Sequence, residues 1–404
     1  MSTINQNKFG MFIHWGIYSL LEYHEQVYAH KKLDRDYYES HKELFNPTEY
    51  DPEKWVKLAK EAGMKYICFT AKHHDGFCMW DTKYTDYKIT NTPYGKDTLR
   101  MLANACKKEG MLLSIYYSCP DWHYEYGYNP HSTHQWMAKN KDNPDTVKLR
   151  EYIKNQITEL LTEYGDIYTL FWDIPPKIED PSINELVRRL QPDILINNRG
   201  FDKGDFSTPE REFEAISGKQ FERMTEACNS VGENSWGYRK GENFYSVRFL
   251  TSSICRIMAM GGSYLLNVGP DSRGVITEEY AEKIRKVGDW YKRTDGCLEG
   301  AVPDTFDYGV YNNECFVTKK NGKSYFIFPN GIISDHVCMK NYPALPKRAR
   351  LLNTGAELPF SITHLPFLNG FNEKARIDGP ILLDICKIPV DALAAEPIIV
   401  EVEW

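Results

Sequence analysis

An α/β barrel followed by a small antiparallel β-sandwich is the fold this sequence predicts, on three observations. Short apolar strands alternate with amphipathic helices as far as Tyr291. That calls for a parallel sheet, and this many units over about 300 residues call for a closed or nearly closed (β/α)8-like barrel. Each strand turns polar or aromatic at its last residues, as strands that line a barrel mouth do. From about Gly300 the texture changes to short alternating segments parted by Asn-Gly, Gly and Pro turns, the pattern of a sandwich. The expected division is 1–298 for the barrel and 299–404 for the sandwich.

The elements follow in order. Phe9-Gly10-Met11-Phe12-Ile13 is an apolar strand ending on His14-Trp15-Gly16. Asp51 and Pro52 form an acidic cap and an N1 proline for a helix whose Trp55, Leu58, Ala59 and Ala62 keep helical spacing. The strand from Tyr66 to Ala71 runs into Lys72-His73-His74-Asp75-Gly76-Phe77. A helix from Asp97 stops at Gly110, and the strand from Met111 to Tyr117 ends on Ser118. The long helix from Val147 to Tyr164 leads into a strand closing on Leu170-Phe171-Trp172-Asp173, which Ile174-Pro175-Pro176 must break. A helix from Ile183 to Leu190 and a strand from Asp193 end on Asn197-Asn198-Arg199. Asp202 to Glu233 is irregular and charged. Tyr245 to Met260 is a helix, Gly262 to Pro270 a strand and Thr277 to Tyr291 the last helix. Beyond them, Cys315–Thr318, Ser324–Phe328, Ala349–Leu352 and Pro397–Val402 read as sandwich strands.

Composition narrows the function. A net charge of −7 argues against a nucleic-acid partner, which wants a basic surface. No apolar run is long enough to span a membrane, and the first residues resemble no signal peptide, so a cytoplasmic protein is expected. The ten cysteines form no Cys-x-x-Cys pair and read as buried thiols. Aromatics make up 14% of the chain, with 27 Tyr and 9 Trp. Such an excess of amphipathic rings fits sugar or base binding or large interfaces, and favours a homo-oligomer.

The strand ends carry the chemistry. His14-Trp15, His73-His74-Asp75, Tyr117-Ser118, Asp173, Asn198-Arg199 and Asn267 would gather at one mouth. The sequence holds no Gly-x-Gly-x-x-Gly, no P-loop and no Gly-x-Ser-x-Gly after a strand, which removes dinucleotides, NTPs and serine hydrolysis. The adjacent His73 and His74 point to opposite faces of a strand, and no His-Glu-x-x-His occurs. Neither a catalytic metal nor another cofactor is expected. Imidazoles that donate and accept hydrogen bonds suit a ligand covered in hydroxyls. What remains is carboxylate chemistry on such a ligand. A retaining glycosidase places two carboxyls about 5–5.5 Å apart. Asp173 is the natural nucleophile. Its partner must come from Glu210, Glu212, Glu214, Glu222 or Glu226, among which Glu210 and Glu226 stand out.

Five motifs give the chain its resemblance. They are Phe9–Gly16, Ala71-Lys-His-His-Asp-Gly-Phe-Cys-Met-Trp80, Tyr116-Tyr117-Ser118 with Asp121-Trp122, Ser235-Trp236-Gly237-Tyr238, and Gly261–Pro270. Over residues 8 to 295 the sequence resembles the alpha-L-fucosidases of glycoside hydrolase family 29. The resemblance implies retaining hydrolysis of terminal alpha-L-fucosides on oligosaccharides or glycoconjugates through a covalent fucosyl-enzyme. It gives Asp173 the nucleophile's place and His14, Glu25, His73, His74, Tyr117 and Arg199 the fucose hydroxyls. Trp80 and Trp236 are aromatics of the pocket. The family commonly shows Trp-x-Asp-Gly at the nucleophile, where this chain has Phe171-Trp172-Asp173-Ile174. Phe171 would then face the sugar without an indole donor, and the following loop would be stiffer.

For the acid/base, Glu210 lies in an Asp-Phe-x-Thr-x-Glu context and is ranked ahead of Glu226, beside which Thr225 replaces a Trp. Two readings from other classes are set against the hydrolase. A lectin-like protein on the same scaffold would bind fucose and release none. A metal-dependent barrel hydrolase using the histidines would be silenced by a chelator.

Overall fold

The computed structural model of the protein describes residues 7–211, 218–364 and 381–404. Two compact units emerge, one of Met1–Glu212, Arg223–Tyr245 and Ser263–Arg285, the other of Phe213–Glu222, Ser246–Gly262 and Lys286–Trp404.

The first unit is a curled parallel sheet. Its strands are β1 (Phe9–Ile13), β2 (Tyr66–Lys72), β3 (Leu112–Ser118), β4 (Ile167–Asp173), β5 (Leu195–Ile196), β6 (Glu226–Ser230) and β7 (Ser263–Val268). They lie in the order β5-β4-β3-β2-β1-β7-β6. The gap between β5 and β6 is bridged by backbone hydrogen bonds of the segment between them. Asp205 N donates to Ile196 O at 2.6 Å, Ser207 N to Met224 O at 2.9 Å, and Cys228 N to Pro209 O at 3.1 Å. This is the TIM-like barrel the alternation calls for.

Helix signals work locally as expected. The Asp51 carboxylate accepts from Glu53 N and Lys54 N at the start of the helix Pro52–Glu61. The Asp97 and Asp145 side chains do the same for Thr98–Glu109 and Thr146–Glu163, and Gly110 ends the former at φ 65. One expectation needs correction. The stretch from Asp202 to Glu233 holds both the bridging segment and β6. Glu-Ala-Cys-Asn-Ser contains no β-branched residue, so only its ladder with β7 makes it a strand.

Alternate residues of the strands fill the barrel. Phe12, Tyr66, Cys68, Tyr116, Phe171, Cys228 and Leu265 form one interior cluster. Gly10 makes room for it, since a Cβ there would meet the Tyr66 ring at 2.5 Å.

The second unit carries the β-sandwich. One sheet orders β12 (Arg348–Leu351), β15 (Ile398–Glu403), β10 (Lys323–Phe328), β9 (Phe316–Lys320) and β8 (Val302–Pro303). The other orders β11 (Val337–Met339), β14 (Ile381–Ile385) and β13 (Phe360–His364). Asn321 and Gly322, both at positive φ, turn β9 into β10. Phe326, Phe328, Met339, Leu351, Leu383 and Val400 are among the residues that close the core between the sheets.

Candidate active site

A cavity of about 390 Å³ opens where β1, β2, β3 and β4 end. Strand pleat decides what faces it. On β4, Phe171 and Asp173 point in, whereas Trp172 points out and donates from Nε1 to Asn184 Oδ1 at 3.0 Å. On β3, Tyr116 points in, and its hydroxyl donates to Asp173 Oδ2 at 2.7 Å. Phe12 of β1 lies 5.3 Å from Phe171, ring centre to ring centre.

Arg199 organises the acids. Its Nη1 lies 2.9 Å from Asp173 Oδ1 and 2.9 Å from Glu210 Oε2. Two contacts to one nitrogen keep those oxygens within about 6 Å of each other, near the spacing of a retaining pair. The guanidinium is itself held by Thr208, through Nε to Oγ1 at 2.8 Å and Nη2 to the carbonyl at 2.7 Å. Thr208 and Glu210 are two residues apart on the extended bridging segment, so both reach the same face. Arg211 N donates to Cys228 O and fixes that segment along β6. Burial works to raise the Asp173 carboxyl. Arg199 and the Tyr116 hydroxyl outweigh it and hold Asp173 below the ordinary carboxylate range.

The histidines present acceptors. Asn267 donates from Nδ2 to Ser230 Oγ and Trp236 O, which fixes its amide so that Oδ1 accepts from His14 Nδ1 at 2.7 Å. Ser118 gives its hydroxyl proton to Pro120 O, so its oxygen accepts from His74 Nδ1 at 2.8 Å. Both rings thus carry the proton on Nδ1 and keep Nε2 as an acceptor. His74 Nε2 stands 3.9 Å from Asp173 Oδ2. Burial lowers the His14 ring to about 4 and holds His73 and His74 well below the usual imidazole range, so all three are neutral at pH 7. His73 Nδ1 is buried with no hydrogen-bond partner among the described residues. Glu25 Oε2 accepts from Ser235 Oγ at 2.9 Å and from the backbone of Trp236 and Gly237. Burial opposes that charge, but His24, His73 and His14 help to hold the carboxyl down to about 2.

Of the residues the sequence singles out, Asp173, Glu210, His14, Glu25, His73, His74, Phe171, Arg199 and Trp236 line the cavity. Three do not. Tyr117 faces the helical layer, where its hydroxyl donates to Gln156 Oε1 at 2.6 Å. Trp80 is fully buried and donates to Glu159 Oε2 at 3.2 Å. Glu226 is the first residue of β6 and accepts from the Tyr66 hydroxyl at 2.6 Å. Tyr66 begins β2 and Ser263, its ladder partner, begins β7, so Glu226 sits at the opposite end of the barrel. Burial pushes its carboxyl up to about 7, a value that looks catalytic, yet this acid has no access to the cavity. Glu222 is exposed and off the cavity, and Glu212 and Glu214 lie outside the described residues.

Sequence reasoning missed Tyr116 and His134. His134 sits at φ 57 in the loop after β3, its ring 5.5 Å from His74. The signal was the run His131-Ser-Thr-His134-Gln-Trp136, since loops after barrel strands form the mouth. Ile174 and Pro175 also line the cavity, and Ile174 has φ 58.

The profile of a family described as alpha-L-fucosidase matches residues 1–295. An alpha-L-fucosidase of Dictyostelium discoideum is 24% identical over 364 residues, covering 80% of this chain and 76% of that protein. The human tissue alpha-L-fucosidase is 23% identical, covering 82% of this chain and 76% of its own length. Among solved structures, alpha-L-fucosidase isoenzyme 1 from Paenibacillus thiaminolyticus superposes with a TM-score of 0.83 at 30% identity, over 99% of this chain and 97% of that one. The Thermotoga maritima alpha-fucosidase in complex with fucose gives 0.78 at 25% identity, over 99% and 96%.

Proposed function

The chain belongs to the alpha-L-fucosidase family, and from that premise we propose that it hydrolyses terminal alpha-L-fucosides with retention, Asp173 serving as nucleophile and Glu210 as acid/base. The observation that carries this reading is the single Arg199 nitrogen shared by the two carboxylates. It supports a spacing that leaves no room for the water an inverting enzyme places between its acids.

Asp173 Oδ attacks the anomeric carbon as the glycosidic C–O bond breaks, and the departing oxygen takes the proton of Glu210. Glu210, left as a carboxylate by that transfer, then takes a proton from water. That water attacks the anomeric carbon, the Asp173 ester breaks, and two inversions give net retention. The Nε2 atoms of His14 and His74 accept from sugar hydroxyls, and Arg199 donates. Phe12, Phe171 and Trp236 offer apolar surface to the sugar and its methyl group.

The test is release of 4-nitrophenol from its alpha-L-fucoside with EDTA present throughout. Asp173→Asn abolishes turnover. Glu210→Ala loses it and azide restores it, while Glu226→Ala needs no rescue. Azide rescue of Glu226→Ala instead would overturn the assignment. Fucose bound but never released by the wild type would favour the lectin-like reading.

A further inference from the structure

The smaller sheet of the sandwich carries a side-chain cluster that fucoside hydrolysis does not use. β11 pairs antiparallel with β14, setting Val337 opposite Ile385, Cys338 opposite Asp384 and Met339 opposite Leu383. Val337, Met339, Leu383 and Ile385 enter the sandwich core, so Cys338 and Asp384 project from the other face. His336 immediately precedes β11 and Cys386 immediately follows β14, two residues from Cys338 and Asp384 respectively. The ligand atoms of His336, Cys338 and Asp384 all lie within 4.8 Å of one another. Cys338 Sγ is 3.3 Å from Asp384 Oδ1, and the Cys386 thiol hydrogen-bonds the same carboxylate.

We propose that His336, Cys338 and Asp384 hold a zinc(II) ion that ties β11 to β14, with water in the fourth position. One imidazole, one thiol and one carboxylate, drawn from the two paired segments, match an ion of borderline softness. Calcium and magnesium, which want oxygen alone, do not suit them. The site also has a task. β11 is three residues long and meets β14 through three residue pairs, so a cross-strand clamp fixes a weakly anchored strand. His336, Asp384 and Cys386 are half-buried, which leaves an entry path. Binding forms one Zn–S bond as the Cys338 S–H bond loses its proton to solvent.

The probe is cobalt(II), titrated into the full-length, chelator-treated protein and then displaced by zinc(II). The expected result is one equivalent bound with a thiolate-to-cobalt charge-transfer band and the strong visible absorption of four-coordinate cobalt. Zinc should raise the melting temperature and leave 4-nitrophenyl fucoside hydrolysis unchanged. Cys338→Ser abolishes the band. His336→Gln, which leaves the core face untouched, lowers cobalt affinity at least tenfold and decides the matter if the cysteine variant fails to fold. Cobalt bound without a thiolate band, no cobalt bound, or full affinity in His336→Gln overturns the site.

Discussion

The Tyr116 hydroxyl donates a 2.7 Å hydrogen bond to Asp173 Oδ2, while its neighbour Tyr117 points its own hydroxyl into the helical layer at Gln156. A hydrogen bond to a charged group contributes about 1.5–3 kcal/mol, a factor of roughly 10 to 100. Tyr116→Phe should lower kcat/KM by that factor. It should also move the acid limb of the pH profile upward, because the donor that favours the Asp173 anion is gone. Tyr117→Phe should leave both unchanged. Equal losses in the two variants would mean that Tyr116 acts only by packing.

The same pair shows how far the sequence can be read. Asp173 is legible because an apolar strand ending on a carboxylate and breaking at two prolines has few other meanings. At β3, however, both neighbours are tyrosine, and nothing in the pattern marks the inner one. The ladder decides it, pairing Thr70 with Tyr116 and Lys72 with Tyr117 across an irregularity at Ala71. Glu226 shows the complementary difficulty. Its segment has no strand signal, so its place at the far end of the barrel follows only from the β6–β7 register. Glu210 could be marked by its Thr-Pro-Glu turn, but its approach to Arg199 depends on backbone pairing with Cys228.

Glu226 should matter to stability and not to turnover. Its Oε1 is buried without a partner among the described residues, and burial raises its carboxyl to about 7 against about 4.5 for a free glutamate. Between those values the folded protein holds the extra proton, so this group's contribution to stability falls as pH rises from 4.5 to 7. Glu226→Gln removes the charge and keeps an acceptor for Tyr66. The variant should melt higher than wild type at pH 8, show little difference at pH 5, and keep its kcat. A lower melting temperature at pH 8 would mean that the charge is stabilised by the fold.

The histidines work in the opposite sense. His14 titrates near 4 in the folded protein and near 6.5 in the unfolded chain, and burial depresses His73 and His74 still more clearly. Below pH 6.5 the unfolded chain binds the extra protons, so stability is full above that value and falls as pH drops toward 4. The slope is up to about 1.4 kcal/mol per pH unit for each ring. Glu25, depressed to about 2, adds a loss of the same sign at the acid end. Thermal melts between pH 7 and pH 4.5 should show a steep decline, shallower in His14→Gln. Parallel curves would show that His14 is not the neutral ring its burial implies.

Ile174 follows the nucleophile at φ 58, a region that costs an L-residue about 1–2 kcal/mol and suits β-branched side chains least. The chain keeps it there because the side chain is 9% exposed and the backbone must turn at once into Pro175 at the cavity wall. This accounts for the glycine that the resemblance leads one to expect at that place. Two substitutions separate strain from burial. Ala keeps the Cβ and its strain while losing the buried side chain. Gly loses the same side chain but adopts this φ freely. In ordinary backbone Ala is the more stable of the two by about 0.5–1 kcal/mol. At this position the order should reverse, with Ile174→Gly melting a few degrees above Ile174→Ala, even if both fall below the wild type. If Ala proved the more stable, Ile174 would not be strained, and the departure after Asp173 would need another cause.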